Sequence, residues 1–347
     1  MNWFYWLLTY TNFVLESFLM NASSSLTRGY TVAVASAVIL STTAIFIRYL
    51  TQTFAIPALV LAFWRSGFVV LTLVLALGLL RPSLLRVSRA QLPYLFAYGL
   101  LLAVFNSLWT LSVVLNGAAV ATVLVYCSAA FTAILGWWLL KEPLDVVKGL
   151  VILLTLAGCV LVANALDVSA WNTNLMGILT GVLAGLGYAI YSLMGRSASQ
   201  RGLNPWSTLL YTFGFAAIFL LLFNLTSGLI PGTAAQPAEL LWLGDAWLGW
   251  GVLILLAAGP TVAGFGLYNV SLSYLPSSVA NLIVTLEPTF TAVIAYFLLG
   301  ERLTLVQLAG SLLILGGVVL LRIHEGRLQA RASRTAASFA VLPAEAD

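Results

Sequence analysis

Residues 120–144, VATVLVYCSAAFTAILGWWLLKEPL, and residues 279–303, VANLIVTLEPTFTAVIAYFLLGERL, are two versions of one pattern, 159 positions apart. Each version places a glutamate two residues after a paired leucine, Glu142 in the first and Glu301 in the second. Closer to the start of each half, an offset of 148 pairs Arg48 with Arg196 and also aligns two prolines. Each quoted stretch holds an apolar run of the length that crosses a bilayer as a helix. The pattern predicts two related halves embedded in a membrane.

The composition supports a lipid environment for most of the chain. Hydrophobic residues make up 61% of the 347 residues and charged residues 7%. A soluble domain carries roughly 25% charged residues, so a water-facing surface cannot be built from this sequence. Spanning segments must satisfy their backbone groups internally, and no stretch alternates as barrel strands do, so the spans are predicted to be helices.

Apolar segments long enough to cross a bilayer recur with short breaks that contain proline and glycine. We place ten spans, near residues 30–51, 57–80, 92–115, 117–139, 145–164, 174–197, 205–227, 247–272, 277–298 and 304–322. The predicted fold class is an all-α integral membrane protein with ten transmembrane helices as two inverted five-helix repeats. The repeats occupy residues 30–164 and 174–322, between an N-terminal extension (1–29) and a polar cytoplasmic tail (323–347).

The first 19 residues are aromatic but interrupted by polar residues and lack a basic start. A signal peptide or an eleventh span is therefore disfavoured. We expect an interfacial or disordered extension, and a natural start at Met20 is the alternative.

Basic residues are distributed unevenly between the two predicted faces. With ten spans, the face that carries both termini collects twelve of them, namely Arg28, Arg81, Arg86, Arg89, Lys141, Lys148, Arg196, Arg201, Arg322, Arg327, Arg331 and Arg334. The opposite face has Arg48 and Arg302. Cytoplasmic loops are enriched in Lys and Arg, so both termini are predicted to be cytoplasmic.

The odd number of spans in each half has a consequence for function. Five spans per half make the second half enter the membrane upside down relative to the first. Inverted repeats place a site near the midplane and give two mirror-related states, open to either side. The repeat thus favours a transporter, and an old duplication without a transport role is the alternative.

The two segment ends, LLKEPL at 139–144 and LLGERL at 298–303, resemble the EamA module of the drug/metabolite transporter superfamily. The resemblance covers roughly residues 30–322, and the chain as a whole resembles the YddG-like aromatic amino acid exporters. It implies a ten-helix exporter of the bacterial inner membrane for amino acids and related small metabolites. The first half departs from the pattern, because Ser128-Ala129 stands where the second half has Glu287-Pro288. Whatever this pair contributes is therefore confined to the second half, so the gates that open to the two sides of the membrane should not be equivalent.

Two charged residues lie well inside predicted spans, Arg65 in the second and Glu287 in the ninth. An ionisable residue at that depth costs at least about 2.5–3.5 kcal/mol on insertion scales and marks a functional site by default. Arg65 could anchor a substrate carboxylate, and Glu287 could bind an amine or carry a proton. One alternative is that Arg65 and Glu287 form an ion pair whose only role is to neutralise both charges. The other is that the Arg65 side chain extends to the membrane surface.

Polar and aromatic residues inside the spans complete the predicted substrate site. Asn281 and Thr285 share one helix face beside the kink expected at Pro288, and Asn106 is a further polar candidate. Aromatic walls suit apolar, aromatic and cationic ligands, although packing alone explains most such residues. The predicted substrate-binding residues are Trp64, Arg65, Asn106, Trp109, Tyr126, Tyr188, Tyr191, Tyr268, Asn281, Thr285 and Glu287.

We predict a secondary transporter that exports amino acids, aromatic and other neutral ones, and is not an enzyme. It lacks a P-loop, an HExxH motif and any gathered catalytic set, so we expect no catalytic residue, metal or cofactor. Its expected partners are a small amino acid and membrane lipid, without nucleic acid, and a monomer should suffice. The rivals are a multidrug or organic-cation exporter of the same fold and an intramembrane lipid-modifying enzyme.

Overall fold

The computed structural model describes residues 27–140, 145–162, 168–226, 228–275, 280, 283–284, 287–313, 315–317, 319–320, 323–324 and 327. Every regular element in these residues is a helix, which confirms the all-α class for this part of the chain. Asn281 and Thr285, the first 19 residues and all of the tail beyond Arg327 lie outside the described residues.

Ten helical stretches follow one another along the described chain. Helices α1 to α5 are Thr27–Thr53, Ala58–Leu80, Leu92–Asn116, a two-part helix (Ala118–Val125 and Ser128–Leu140) and Val146–Val162. Helices α6 to α10 are Val168–Gln200, Pro205–Asn224, Trp247–Tyr274, Glu287–Leu299 and Leu305–Gly317. Helix α6 is kinked at Asn174.

Seven of these helices are long and apolar enough to cross a membrane, namely α1 to α4 and α6 to α8. Helices α5, α9 and α10 coincide with three further predicted spans as shorter apolar helices. The protein is therefore a multi-pass membrane protein. The count of ten spans and the inverted orientation of the halves stay predictions.

Local sequence signals set several helix ends. The side chain of Asn204 accepts a hydrogen bond from the backbone N–H of Trp206 (2.9 Å), and Pro205 occupies the first turn of α7, where its missing N–H costs nothing. Helix α3 ends at Gly117, whose φ of 83° is accessible to glycine and strained for other residues.

Three helices are interrupted within their length. Helix α1 has a turn at Ser41–Thr42, and α4 has one at Tyr126–Cys127. Helix α8 is π-helical from Ala257 to Phe265, around Pro260. Irregular backbone at membrane depth is tolerated where it is buried in protein or lines a cavity. The breaks therefore point to the centre of the molecule as the place for a site.

Helix α6 packs closely against α4 because it carries glycines on the shared face. A Cβ added at Gly185 would meet the sulfur of Cys127 and, at 3.0 Å, the carbonyl of Val125. A Cβ at Gly181 would lie 2.7 Å from Leu124. Two small residues four positions apart let helix backbones approach, which brings the α6 tyrosines next to α4.

Candidate functional site

A small cavity lies where the interruptions of α1, α4 and α8 meet. Six helices contribute to its wall. The lining residues are Leu40 and Thr43 of α1, Phe105 and Trp109 of α3, Val125 and Tyr126 of α4, Tyr188 of α6, Phe265 of α8 and Glu287 of α9. The wall is thus mainly aromatic and aliphatic, and among these residues Glu287 supplies the charge.

Glu287 is held by the phenol of Tyr126. The Tyr126 hydroxyl donates to Oε2 of Glu287 at 2.6 Å, and both side chains are buried, with Glu287 7% exposed. A short hydrogen bond of this kind to a carboxylate is stronger than one between neutral groups. It fixes the position of the Glu287 carboxyl in the cavity wall.

Arg65 is fully buried, at 0% exposure, and does not pair with Glu287. Its Nη2 donates to Oδ1 of Asn106 at 2.8 Å, and its guanidinium carbon lies 5.6 Å from the centroid of the Trp109 ring. In the described part of the chain, the ion pairs are those of Arg48 with Glu301 and of Asp145 with His324. Arg65 and Glu287 are therefore available to different partners.

The tyrosines of α6 and α8 form a stack that reaches the cavity through Tyr188. Tyr188 lies 5.6 Å from Tyr268 and 6.5 Å from Tyr191, measured between ring centroids. Tyr191 donates to Asn269 (3.2 Å), and Tyr268 shares a 2.7 Å hydrogen bond with Ser192. Tyr191 and Tyr268 are not in the wall and lie behind it, so they support Tyr188 more directly than they meet a ligand.

Trp64 faces another part of the molecule. Its indole N–H donates to the carbonyl of Leu240 at 2.5 Å, and its ring packs on Phe68 and Trp250. It is not among the residues that line the central cavity. The described contacts give it a place in anchoring the connection between α7 and α8.

The sequence reasoning missed Leu40, Thr43, Phe105, Val125 and Phe265, which line the cavity. For Thr43 a signal existed, because Ser41-Thr42-Thr43 is a polar run inside an apolar span. The hydroxyl of Thr43 is buried and has no hydrogen-bond partner in the described part of the chain. Nothing in the local sequence distinguishes Phe105 or Phe265 from packing residues.

A charged link joins the two halves at the start of α4. Both carboxylate oxygens of Glu301 accept backbone N–H bonds at the start of α4, from Ala118 and Ala119 at 3.0 Å each. Nε of Arg48 lies 3.3 Å from Oε1 of Glu301, and Nη1 of Arg48 donates to the carbonyl of Val114 at 2.7 Å. Glu301 thus caps a helix and pairs with an arginine at once.

Among the described residues, no group of three His, Cys, Asp or Glu side chains is placed to hold a metal ion. The cavity has an apolar wall, one carboxyl and a few hydroxyls, which suits a small organic ligand better than an ion.

A bundle of apolar helices, with a cavity lined by helices from both parts of the chain, is the architecture of a multi-pass membrane protein with an internal ligand site. The sequence profile of the EamA-like transporter family matches residues 27–164 and 175–323, and the chain belongs to this family. The predicted resemblance to the drug/metabolite transporter superfamily is thereby confirmed, and the protein is a transporter of that kind. The resemblance to the YddG-like aromatic branch stays a prediction.

Individual relatives agree with this placement. The chain is 31% identical over 254 residues to the threonine/homoserine exporter RhtA of Escherichia coli (strain K12), covering 71% of this chain and 77% of that one. It is 29% identical over 223 residues to an uncharacterized transporter of Archaeoglobus fulgidus, covering 63% and 74%. A solved crystal structure, 17% identical, superposes with a TM-score of 0.59 over 86% of this chain and 96% of that one, which supports the fold alone.

Proposed function

We propose that this protein is a secondary transporter that exports neutral amino acids, aromatic ones included, and related small metabolites. It works by alternating access across the bacterial inner membrane. The observation that carries this proposal is the central cavity, an aromatic wall around the single carboxyl of Glu287. Such a wall accommodates an amino acid side chain, and the carboxyl meets its ammonium group. The name of the 31% identical relative, an exporter of threonine and homoserine, supports the same class of substrate.

The architecture proposed with this function is ten spans in two inverted five-helix repeats, with both termini in the cytoplasm. The cavity lies among helices of both halves, which is where inverted repeats place a substrate site. Of the residues proposed to bind substrate, Trp109, Tyr126, Tyr188 and Glu287 line the cavity. Arg65 and Asn106 lie directly behind Trp109, and Tyr191 and Tyr268 behind Tyr188.

An organic-cation exporter is the second candidate. Glu287 accepts a hydrogen bond from a phenol and forms no ion pair with another described residue, so an ionised carboxylate at this position is open to a cationic ligand. Aromatic faces around a carboxyl also favour cations. The two functions differ in whether the substrate carries a carboxylate.

Counterflow in liposomes reconstituted with the purified protein tests the proposal. Labelled threonine and labelled phenylalanine are followed beside labelled tetraphenylphosphonium, an organic cation. We expect saturable exchange of amino acids that falls about tenfold or more in Glu287→Gln, because the variant removes the charge that meets the ammonium group. Glu239→Gln is the matched control, since Glu239 is half-buried in the connection before α8, accepts a hydrogen bond from the backbone N–H of Ala235 (2.7 Å) and does not line the cavity.

Exchange of the cation without amino acids would replace the proposal by the second candidate. Equal loss in both glutamine variants would show that the measured flux does not pass Glu287. Exchange of no tested solute would remove the support for amino acid export and leave the family assignment intact.

A further inference from the structure

Three buried hydrogen-bond donors near Trp109 have no acceptor among the residues that the structure describes. They are Nε and Nη1 of Arg65 and Nδ2 of Asn106. A buried polar group without a hydrogen bond destabilises the fold, and the penalty is larger when the group is charged. The cluster consists of a cation and an amide that offer N–H groups, so the missing partner is an acceptor with negative charge.

The position of the cluster connects it to the cavity. Asn106 and Trp109 are three residues apart on α3, so they share one helix face. Trp109 lines the cavity, and the Arg65 guanidinium carbon lies 5.6 Å from the centroid of its ring, while Arg65 and Asn106 are not among the lining residues. The indole therefore lies next to both the cavity and the donors.

We infer that Arg65 and Asn106 form a carboxylate subsite, with Trp109 as the wall that admits the substrate to it. This inference rests on the proposed function and names its substrate class. The transported molecule carries a free carboxylate, which the two side chains bind, and its other end faces Glu287 and Tyr126. A carboxylate supplies the oxygen acceptors and the charge that the cluster lacks. Amides and amines of the same shape lack the charge and are poor substrates.

Arg65 could instead be a structural cation whose charge stabilises the Trp109 ring. In that case removing its charge would weaken transport of every substrate alike. A carboxylate subsite makes a different prediction, since the loss would be confined to ligands that carry the carboxylate. The comparison of an acid with its amide separates the two roles.

The first test is competition against labelled threonine in counterflow, with threonine and threonine amide as competitors. In the unmodified protein we expect the amide to compete about tenfold more weakly, the loss of one charged hydrogen-bonded contact. In Arg65→Gln, threonine should weaken to the level of the amide, while the amide is unchanged. Asn106→Leu should act in the same direction with a smaller effect.

Arg196→Gln is the matched control, because Arg196 donates to a backbone carbonyl, that of Leu272, at 2.9 Å and does not line the cavity. Any effect of this variant should fall on the acid and the amide equally. Equal competition by acid and amide in the unmodified protein, or an equal loss of both in Arg65→Gln, would overturn the subsite.

A binding measurement keeps the inference testable if no amino acid is exchanged. The apparent unfolding temperature of the purified protein is measured with N-acetylthreonine, which keeps the carboxylate and lacks the ammonium group, and with threonine amide. A rise with N-acetylthreonine that disappears in Asn106→Leu and Arg65→Gln supports the subsite independently of transport. If N-acetylthreonine does not raise the apparent unfolding temperature of the unmodified protein, the carboxylate subsite is overturned. That outcome does not depend on whether the Arg65 variant folds.

Discussion

The central chemical feature of the protein is a carboxyl held by a phenol in an apolar wall. Glu287 and Tyr126 come from α9 and α4, the two helices that the repeated sequence pattern relates to each other. The equivalent position in the first half is Ser128, so the second half alone contributes the acid. An ionisable group at this depth is costly to insert, and a function for it outweighs a packing role.

Tyr126→Phe removes the hydroxyl and leaves the ring, so it isolates the hydrogen bond to Glu287. A hydrogen bond to a charged group contributes about 1.5–3 kcal/mol, so we expect amino acid counterflow to fall about tenfold or more. Tyr98→Phe is the control, because its buried hydroxyl donates to a backbone carbonyl, that of Tyr191, at 2.9 Å. If both variants lose the same activity, the phenol of Tyr126 acts through packing and not through Glu287.

At the scale of helices, Glu301 joins the connection after α9 to the start of α4. Gly117 makes room for this contact, since a Cβ there would lie 2.9 Å from a carboxylate oxygen of Glu301. Arg48 of α1 contacts Glu301 and the end of α3 together. One glutamate therefore ties α1, α3, α4 and the end of α9 at one face, and we expect this link to stabilise the closed form of that face.

Glu301→Gln keeps the side-chain shape and removes the charge that meets Arg48 and the helix start. A charge at a helix N-terminus contributes about 0.3–1 kcal/mol, so the closed form should lose up to roughly fivefold in population. We expect faster labelling of Thr43→Cys in the cavity by an impermeant thiol reagent added from that face, with Cys127 and Cys159 replaced by alanine. Glu239→Gln serves as the control, and an unchanged rate in Glu301→Gln would contradict a closing role.

The double exchange Arg48→Glu with Glu301→Arg separates an ion pair from a helix cap. A plain ion pair would be restored by the exchange. Here the new arginine would face the N–H groups of Ala118 and Ala119, which need an acceptor. We therefore expect the labelling rate to stay high in the double exchange. Recovery to the rate of the unmodified protein would show that the ion pair alone accounts for the effect of Glu301.

The close approach of α6 to α4 can be tested with two glycines in helix interiors. Gly185→Ala places a methyl group against Cys127 and the carbonyl of Val125, an overpacking that costs about 1–3 kcal/mol. Gly149→Ala in α5 has open space, with nothing within 4 Å, and gains helix propensity. We expect the apparent unfolding temperature to drop by several degrees in the first variant and to hold or rise in the second. A reversed order would mean that the α4–α6 interface is not this tight.

At the scale of the whole molecule, the two halves repeat a contact as well as a sequence. Arg48 of α1 donates to carbonyls at the end of α3, Val113 (3.4 Å) and Val114. Arg196 of α6 donates to the carbonyl of Leu272 at the end of α8. In the 159-residue register Val113 corresponds to Leu272, and Arg48 is the predicted counterpart of Arg196. The shared contact supports a common plan for the halves, which alternating access requires.

The orientation of the molecule follows from the distribution of its basic residues. We expect a green fluorescent protein fused after Asp347 to fluoresce, because it folds in the cytoplasm. An alkaline phosphatase fused after Asp245, in the connection before α8, should be active, because this connection lies on the outer face. The opposite pattern of the two reporters would reverse the topology, and two cytoplasmic or two outer reporters would change the number of spans.

The sequence by itself determined the membrane setting, the helical class and the transporter family. Composition and apolar length are local properties, and lipid leaves helices as the means to satisfy the backbone in such segments. The predicted bounds of α2 and α3, 57–80 and 92–115, differ by a single residue from Ala58–Leu80 and Leu92–Asn116. The repeated segments also marked Glu287 and Glu301 as special positions before any contact was known.

Only the tertiary structure decided which side chains meet. It placed Arg65 against Asn106 instead of Glu287, turned Trp64 to the connection near Leu240, and brought Phe105 and Phe265 into the cavity wall. Contacts between α2 and α3, or between α4 and α9, depend on the rotation and depth of helices that are far apart in the chain. A helix period fixes which residues share a face, but it does not say which face of another helix they will touch.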